Sequence, residues 1–391
     1  MSKAEAQQRA GVTLRCATGI NGIRMEWADT AQSADERSRP VVLFLHGWPE
    51  SWYSWRHQLL AVRAVGFRGI APSMRGYGAT EAPTDVASYN CYSLAADMLA
   101  LLQHLGIGRA ALVAHDHGAN FGWKLCLLHP QVFTAYLAMS VPYGGRPGAP
   151  PLEMLRAKFG EPDDAQARFN YQLHHCMPGA TQQYDGEHTR PALRAIFSEL
   201  DPKGRFDGRD EGSSGGSGGR VAPPPVRSQR LWLDGVAEPM WRRLPQPAAP
   251  PSWLHAVDFE YFARSFERAG WHGGLRWYAV MDLDWHATPQ LEGRKLAQPV
   301  AFVAGARDMV LRWFGGAEGT ARALRGACAT PPQVHILDGV GHWVQQEAPA
   351  AVNAILLDFL AAHRDRFARN LDERERTPPR GGSSAAVHAR L

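Results

Sequence analysis

Short β-branched or apolar runs alternate with amphipathic stretches in two separate blocks of the chain, and this rhythm restricts the fold more than any other feature. In the first block, runs at 41–45, 67–71, 110–114 and 135–140 alternate with helix-patterned segments at 52–65, 93–105 and 118–128. In the second, runs at 300–304 and 334–337 precede a helical pattern at 350–362. A run that is apolar at nearly every position suits a strand covered on both faces. Strand and helix in alternation therefore predict an α/β architecture with a mostly parallel, doubly wound sheet. Ahead of it, residues 13–17 and 23–28 flank the turn signal Gly19-Ile20-Asn21-Gly22 and predict a hairpin.

Residues 144–290 lack this rhythm and carry many Pro, Trp, Tyr and His, so they are expected to form an inserted helical cap. Within that insert, about 201–230 is expected to be a flexible excursion, because 208–219 is rich in Gly and Ser and Pro223, Pro224 and Pro225 are consecutive. The expected organisation is a core in two parts, 1–143 and 291–366, with the cap between them and a tail at 367–391.

With 391 residues, 45% hydrophobic and 20% charged, the chain can bury one large core or two modest ones, which excludes disorder for most of it. The net charge of +4 resides in 201–230 and 377–391, leaving a neutral body without a basic stripe. No nucleic-acid partner is expected. The five cysteines, Cys16, Cys91, Cys126, Cys176 and Cys328, are odd in number and widely spaced, which argues against a disulfide framework or a zinc site and for a reducing compartment. No apolar run approaches the roughly 18 residues that span a bilayer, and no signal-peptide pattern opens the chain. The expectation is a monomer or homodimer acting on a small molecule in the cytoplasm.

The strongest local signal is 112–119, where a strand leads through Ala114, His115, Asp116, His117 and Gly118 into a helix. This is the pattern of a nucleophile elbow, with Asp116 in the place of serine and small residues two positions either side. The following helix N-terminus favours a negative charge there. By itself the position also suits an ordinary helix N-cap. A second signal, His46-Gly47-Trp48-Pro49, follows the 41–45 strand and would hold the Trp48 N–H toward an oxyanion, with Pro49 a candidate for a cis bond. Third, Asp308 follows the 300–304 strand and His342 follows the 334–337 strand, beyond strand carboxyl ends where open α/β sheets place their ligands. Nucleophile, acid and histidine in that order match the α/β-hydrolase triad.

At these residues the chain resembles the soluble epoxide hydrolases of the α/β-hydrolase superfamily. The resemblance covers about 10–366, through 46–59, 72–83, 115–119, 252–278 and 339–349. Phe169-Asn170-Tyr171-Gln172-Leu173 looks like the family's first ring-opening tyrosine segment, and Leu275-Arg276-Trp277-Tyr278 like its second. Two positions depart from the pattern: His117 stands where most members carry Trp, and Ser73 where Asp is usual. The resemblance implies Asp116 as nucleophile, His342 as base, Asp308 as its orienting acid, Tyr171 and Tyr278 as proton donors, and the N–H groups of Trp48 and His117 as the oxyanion hole. It implies no metal or cofactor.

The residue types suit that chemistry. An epoxide carbon is sp³ and is opened by in-line displacement, for which a carboxylate is already ionised at neutral pH. The alkoxide that departs is strongly basic and needs proton donors opposite the nucleophile, a task for phenols. Haloalkane dehalogenases share the Asp/His/acid arrangement but need no tyrosine pair, and usually hold the halide with an indole at position 117. A non-catalytic ligand-binding protein of the same fold is the other alternative. The aromatic insert suggests lipophilic epoxides such as those of fatty acids. The terminus Ala389-Arg390-Leu391 resembles a peroxisomal address, an alternative to the cytoplasm.

Overall fold

The computed structural model describes residues 1–162, 170–198 and 239–368. Phe169, the excursion at 201–230 and the C-terminal tripeptide lie outside the described residues. One eight-stranded sheet runs through the molecule in the order β1 (Thr13–Ile20), β2 (Ile23–Asp29), β4 (Arg68–Pro72), β3 (Val41–Leu45), β5 (Ala110–His115), β6 (Phe133–Met139), β7 (Val300–Gly305) and β8 (Gln333–Leu337). β1 pairs antiparallel with β2, and β2 with β4; every other pairing is parallel. This is the predicted α/β sheet with its leading hairpin. β3, β5 and β7 are buried along their whole length, which is why they read as unbroken apolar runs.

Local differences have local causes. The amphipathic stretch at 52–65 is two elements: a 3-10 turn at Trp52–Trp55, buried throughout, and a helix at Arg56–Ala64. β6 ends at Met139 because Ser140 adopts φ +66°, outside the strand region. An N-terminal helix, Lys3–Ala10, was not anticipated, although Ser2 and Glu5 form a reciprocal capping box that its S-x-x-E pattern spells out.

Between β6 and β7 the described residues contribute helices and no strand, among them Pro151–Phe159, Tyr171–His175, Thr189–Phe197, Ala256–Ala269 and His272–Ala279. Polar ties fasten this insert to the sheet layer. Trp52 donates to the Tyr261 hydroxyl at 2.7 Å, Tyr53 donates to Asp258 at 2.8 Å, and the Cys91 N–H donates to Asp284 at 2.7 Å. All five cysteines are free, and no described helix is long and apolar enough to cross a membrane.

The bend after β5 depends on a glycine. A Cβ on Gly118 would lie 2.4 Å from the Leu45 carbonyl oxygen and 2.6 Å from that of His46. Gly118→Ala is expected to lower stability by about 2–4 kcal/mol, read by urea or thermal unfolding; a change under about 0.5 kcal/mol would contradict this close approach.

Candidate active site

β5 delivers Asp116 to its carboxyl end in a backbone conformation, φ +53° and ψ −122°, that non-glycine residues rarely adopt. Asp116 occupies the N-cap position of the helix His117–Leu128, yet its side chain makes no capping bond. That disposes of the plain N-cap alternative. The carboxylate instead turns across the strand ends, where Oδ1 accepts from the Trp48 N–H at 2.9 Å and Oδ2 lies 3.4 Å from His342 Nε2. On the opposite side of the imidazole, His342 Nδ1 lies 3.0 Å from Asp308 Oδ2, while Asp308 Oδ1 accepts from the Val310 N–H at 2.9 Å. An acceptor carboxylate at Nδ1 fixes the proton there and turns Nε2 toward Asp116.

The loop after β3 is built around this carboxylate. Any Cβ on Gly47 would fall 2.4 Å from Asp116 Oδ1, so only glycine fits. The Trp48–Pro49 bond is cis, as the His-Gly-X-Pro pattern suggested. His46 accepts from the Met74 N–H at 3.0 Å through Nε2, and its Nδ1 lies 2.9 Å from the Gly47 carbonyl. Burial pushes its pKa down to about 4, so the ring stands neutral as a strut. His117 opens its helix, so its backbone N–H has no partner within that helix. Its ring meets that of Tyr278 edge-on, centroids 4.3 Å apart.

Tyr171 and Tyr278 come from separate helices of the insert, with ring centroids 5.8 Å apart. They line one small cavity, about 50 Å³, together with Asp116, Trp48 and His342. Apolar Ile196, Met240, Met309 and Val310 complete much of its wall. Asp116, His342, Tyr171 and Tyr278 face a common space, with Asp308 behind His342.

The charges in this space are strongly coupled. Burial works against the Asp116 carboxylate, but the His342 hydrogen bond and the nearby imidazoles outweigh it and hold its pKa below the ordinary range. Burial likewise opposes a charged His342, and Asp308 and then Asp116 overcome it, raising the ring well above its usual value. Both flanking carboxylates therefore favour the protonated ring of His342. For both tyrosines burial raises the pKa, so the phenols keep their protons.

A second layer escaped sequence reasoning. Glu50 and His115, both buried, face each other at 2.7 Å, and His115 Nε2 donates to the His342 carbonyl at 2.9 Å. The Ser140 hydroxyl donates to that carbonyl at 2.8 Å. Glu50 also accepts from the Gly47 N–H at 2.8 Å and from Gln345 at 2.8 Å. One buried pair thus grips the backbone of the loops that carry Trp48 and His342. A charged residue at each strand end, Glu50 beside His-Gly-Trp-Pro and His115 beside Asp116, was the available signal; nothing local marks Ser140. Among the described residues no three His, Cys, Asp or Glu side chains cluster closely enough to hold a metal ion.

This geometry belongs to a class of protein that comparison makes explicit. Residues 40–173 match the family described as alpha/beta hydrolase fold. Epoxide hydrolase A of Mycobacterium tuberculosis is 35% identical over 341 residues, 87% of this chain and 95% of that protein. Epoxide hydrolase 3 of Siraitia grosvenorii is 32% identical over 342 residues, 87% of this chain and 96% of that protein. Among solved structures, epoxide hydrolase A from Mycobacterium thermoresistibile superposes with a TM-score of 0.74 at 34% identity, covering 90% of this chain and 98% of the other. An epoxide hydrolase from Vigna radiata gives 0.73 at 33%, covering 93% and 99%. The chain belongs to the epoxide hydrolase family of the α/β-hydrolase fold. That membership selects the enzyme over the dehalogenase and the binding-protein alternatives.

Removing the Asp116 charge takes away one of the two anions that hold the His342 proton. In Asp116→Asn the His342 pKa is expected to fall relative to the native protein, followed by NMR titration of the ring; an unshifted titration would break the coupling described above.

Proposed function

We propose that this epoxide hydrolase opens its substrate in two steps through an ester on Asp116. Oδ2, the oxygen not held by the Trp48 N–H, attacks one epoxide carbon; the carbon–oxygen bond of the ring breaks and the departing oxygen takes a proton from Tyr171 or Tyr278. Their phenols suit this, since burial keeps them protonated and leaves them free of charge beside Asp116. Esterification removes the Asp116 anion. With only Asp308 left to sustain it, the His342 proton passes to the tyrosinate that ring opening leaves, and the ring becomes a base.

Water then attacks the Asp116 carboxyl carbon while His342 Nε2 takes the water proton and Asp308 stabilises the imidazolium. The oxyanion forms on Oδ1 and meets the N–H of Trp48 together with that of His117, a contribution of roughly 3–4 kcal/mol per donor in comparable sites. In the collapse the bond between the carboxyl carbon and the substrate oxygen breaks, that oxygen takes a proton from His342 to complete the vicinal diol, and the proton of the new carboxyl group passes back to His342, which restores the carboxylate. A largely apolar cavity wall supports a lipophilic epoxide as substrate. The same reading divides the chain into a core of 1–143 and 291–366 and a cap of 144–290, with the nucleophile and base on the core and the acids on the cap.

The observation that carries this reading is the Asp116 carboxylate, unengaged by its own helix and sharing a cavity with both phenols and His342. A single turnover in heavy-oxygen water with excess enzyme tests it. The first diol is expected to carry protein oxygen, with the label appearing in the Asp116 carboxyl; label entering the diol at once would mean direct attack by water. His342→Gln should accumulate the ester, detectable by intact mass. Tyr171→Phe and Tyr278→Phe should each slow ring opening, and an undiminished double variant would remove the phenols from the mechanism.

A further inference from the structure

A larger cavity of about 460 Å³ continues from the reactive one, with Asp116, Tyr171 and Val310 shared between them. Much of its wall is apolar, including Tyr143, Met281, Trp285, Leu291 and Phe314. The helix His117–Leu128 contributes something different. His117, Asn120 and Lys124 all line the cavity, and their i, i+3, i+7 spacing makes one polar stripe that leads away from Asp116 along a single helix face.

The stripe ends in positive charge. Lys124 is joined on the cavity wall by Arg146, and the one carboxylate on that wall among the described residues is Asp116 itself. The acidic partners of the two cations stand behind them, off the wall. Lys124 Nζ contacts Asp284 at 2.7 Å, while the other Asp284 oxygen accepts from the Cys91 N–H. Arg146 Nη1 contacts Glu292 at 3.2 Å, a side chain that is 65% exposed and screened by water. Arg146 Nη2 donates to the Trp285 carbonyl at 2.8 Å, the guanidinium lies 3.7 Å above the Trp285 ring, and the buried Nε–H has no hydrogen-bond partner. Asp284 engages one of the three donors of the Lys124 ammonium. Burial opposes that charge and Asp284 outweighs it, so Lys124 stays protonated.

We infer that this lobe is an anchoring subsite for the acidic end of an elongated epoxide, with the carboxylate of the substrate received by Lys124 and Arg146 while its ring lies at Asp116. The inference rests on the epoxide hydrolase reading and narrows its substrate class. Lys124 stands eight residues beyond Asp116, roughly 12 Å along the axis at 1.5 Å per residue. Apolar walls along that path suit a hydrocarbon chain, and donors at its end suit an anion removed from bulk water.

The test compares a straight-chain epoxide whose carboxylate lies about eight carbons from the ring with its methyl ester. The native enzyme is expected to favour the acid in kcat/KM by about tenfold or more, mainly through KM. Acids with much shorter chains should lose that advantage. Lys124→Gln and Arg146→Gln should each reduce the acid-to-ester ratio by about tenfold; the native comparison needs no variant, and the two variants disturb different ion pairs. Ester hydrolysis with indifference to the acid overturns the anchor and leaves the epoxide hydrolase reading standing. Hydrolysis of neither substrate overturns both.

Discussion

The site depends on a backbone contact. The end of β3 and the start of the helix His117–Leu128 approach so closely that neither Gly118 nor Gly47 could carry a Cβ: one would meet the Leu45 carbonyl, the other the Asp116 carboxylate. Bringing them together forces Asp116 into a left-handed conformation at the tip of β5, and that conformation turns its side chain off its own helix and toward Trp48 and His342. Local strain of this kind persists only where the surroundings over-determine it. Here the surroundings are the fully buried strands β3 and β5, paired in parallel from Val42 with Ala111 to Leu45 with Ala114.

Once the carboxylate is fixed, electrostatics organises the rest. Asp116, Asp308 and Glu50 are three acids in a largely buried region, and the histidines His342 and His115 stand between them and the loops they hold. His342 contacts two of the acids, so its proton affinity follows the charge of whichever one changes. The pair Glu50 and His115 has a different part. Burial disfavours the Glu50 charge, the facing imidazole more than compensates, and the carboxyl pKa lies below its usual value. Glu50 stands at Nδ1 of His115 and the His342 carbonyl at its Nε2. The pair is thereby a two-ended clamp on the loops that carry Trp48 and His342.

Much of this was legible in the sequence where the cause was local. Strands buried on both faces appear as apolar runs, and the elbow appears as a charged residue between small ones, because sterics at that bend act over a few neighbouring positions. The capping box at Ser2 and Glu5 was equally local and was overlooked. What the sequence hid was pairing at a distance. Glu50 and His115 are 65 positions apart, and Lys124 and Asp284 are 160 apart, so no window of periodicity contains either pair. The split of 52–65 into a 3-10 turn and a helix was hidden for a related reason: Trp52 and Tyr53 are drawn inward by Tyr261 and Asp258, which lie in the insert. The two tyrosines were reached only through resemblance, since an aromatic residue in a helix is more often packed than reactive.

The same long-range ties explain how the insert is held against the sheet layer. Asp258 bonds to Tyr53 and pairs with Arg56 and Arg9, so one buried acid of the insert fastens three elements of the core. Asp284 receives the N–H of Cys91, which opens the helix Cys91–His104, and the ammonium of Lys124 on the helix that follows Asp116. Both acids sit on helices adjoining the one that carries Tyr278. The distance from the phenols to the carboxylate is therefore set by contacts well away from either. An insert held this way keeps the Tyr171 and Tyr278 phenols facing the cavity that Asp116 lines.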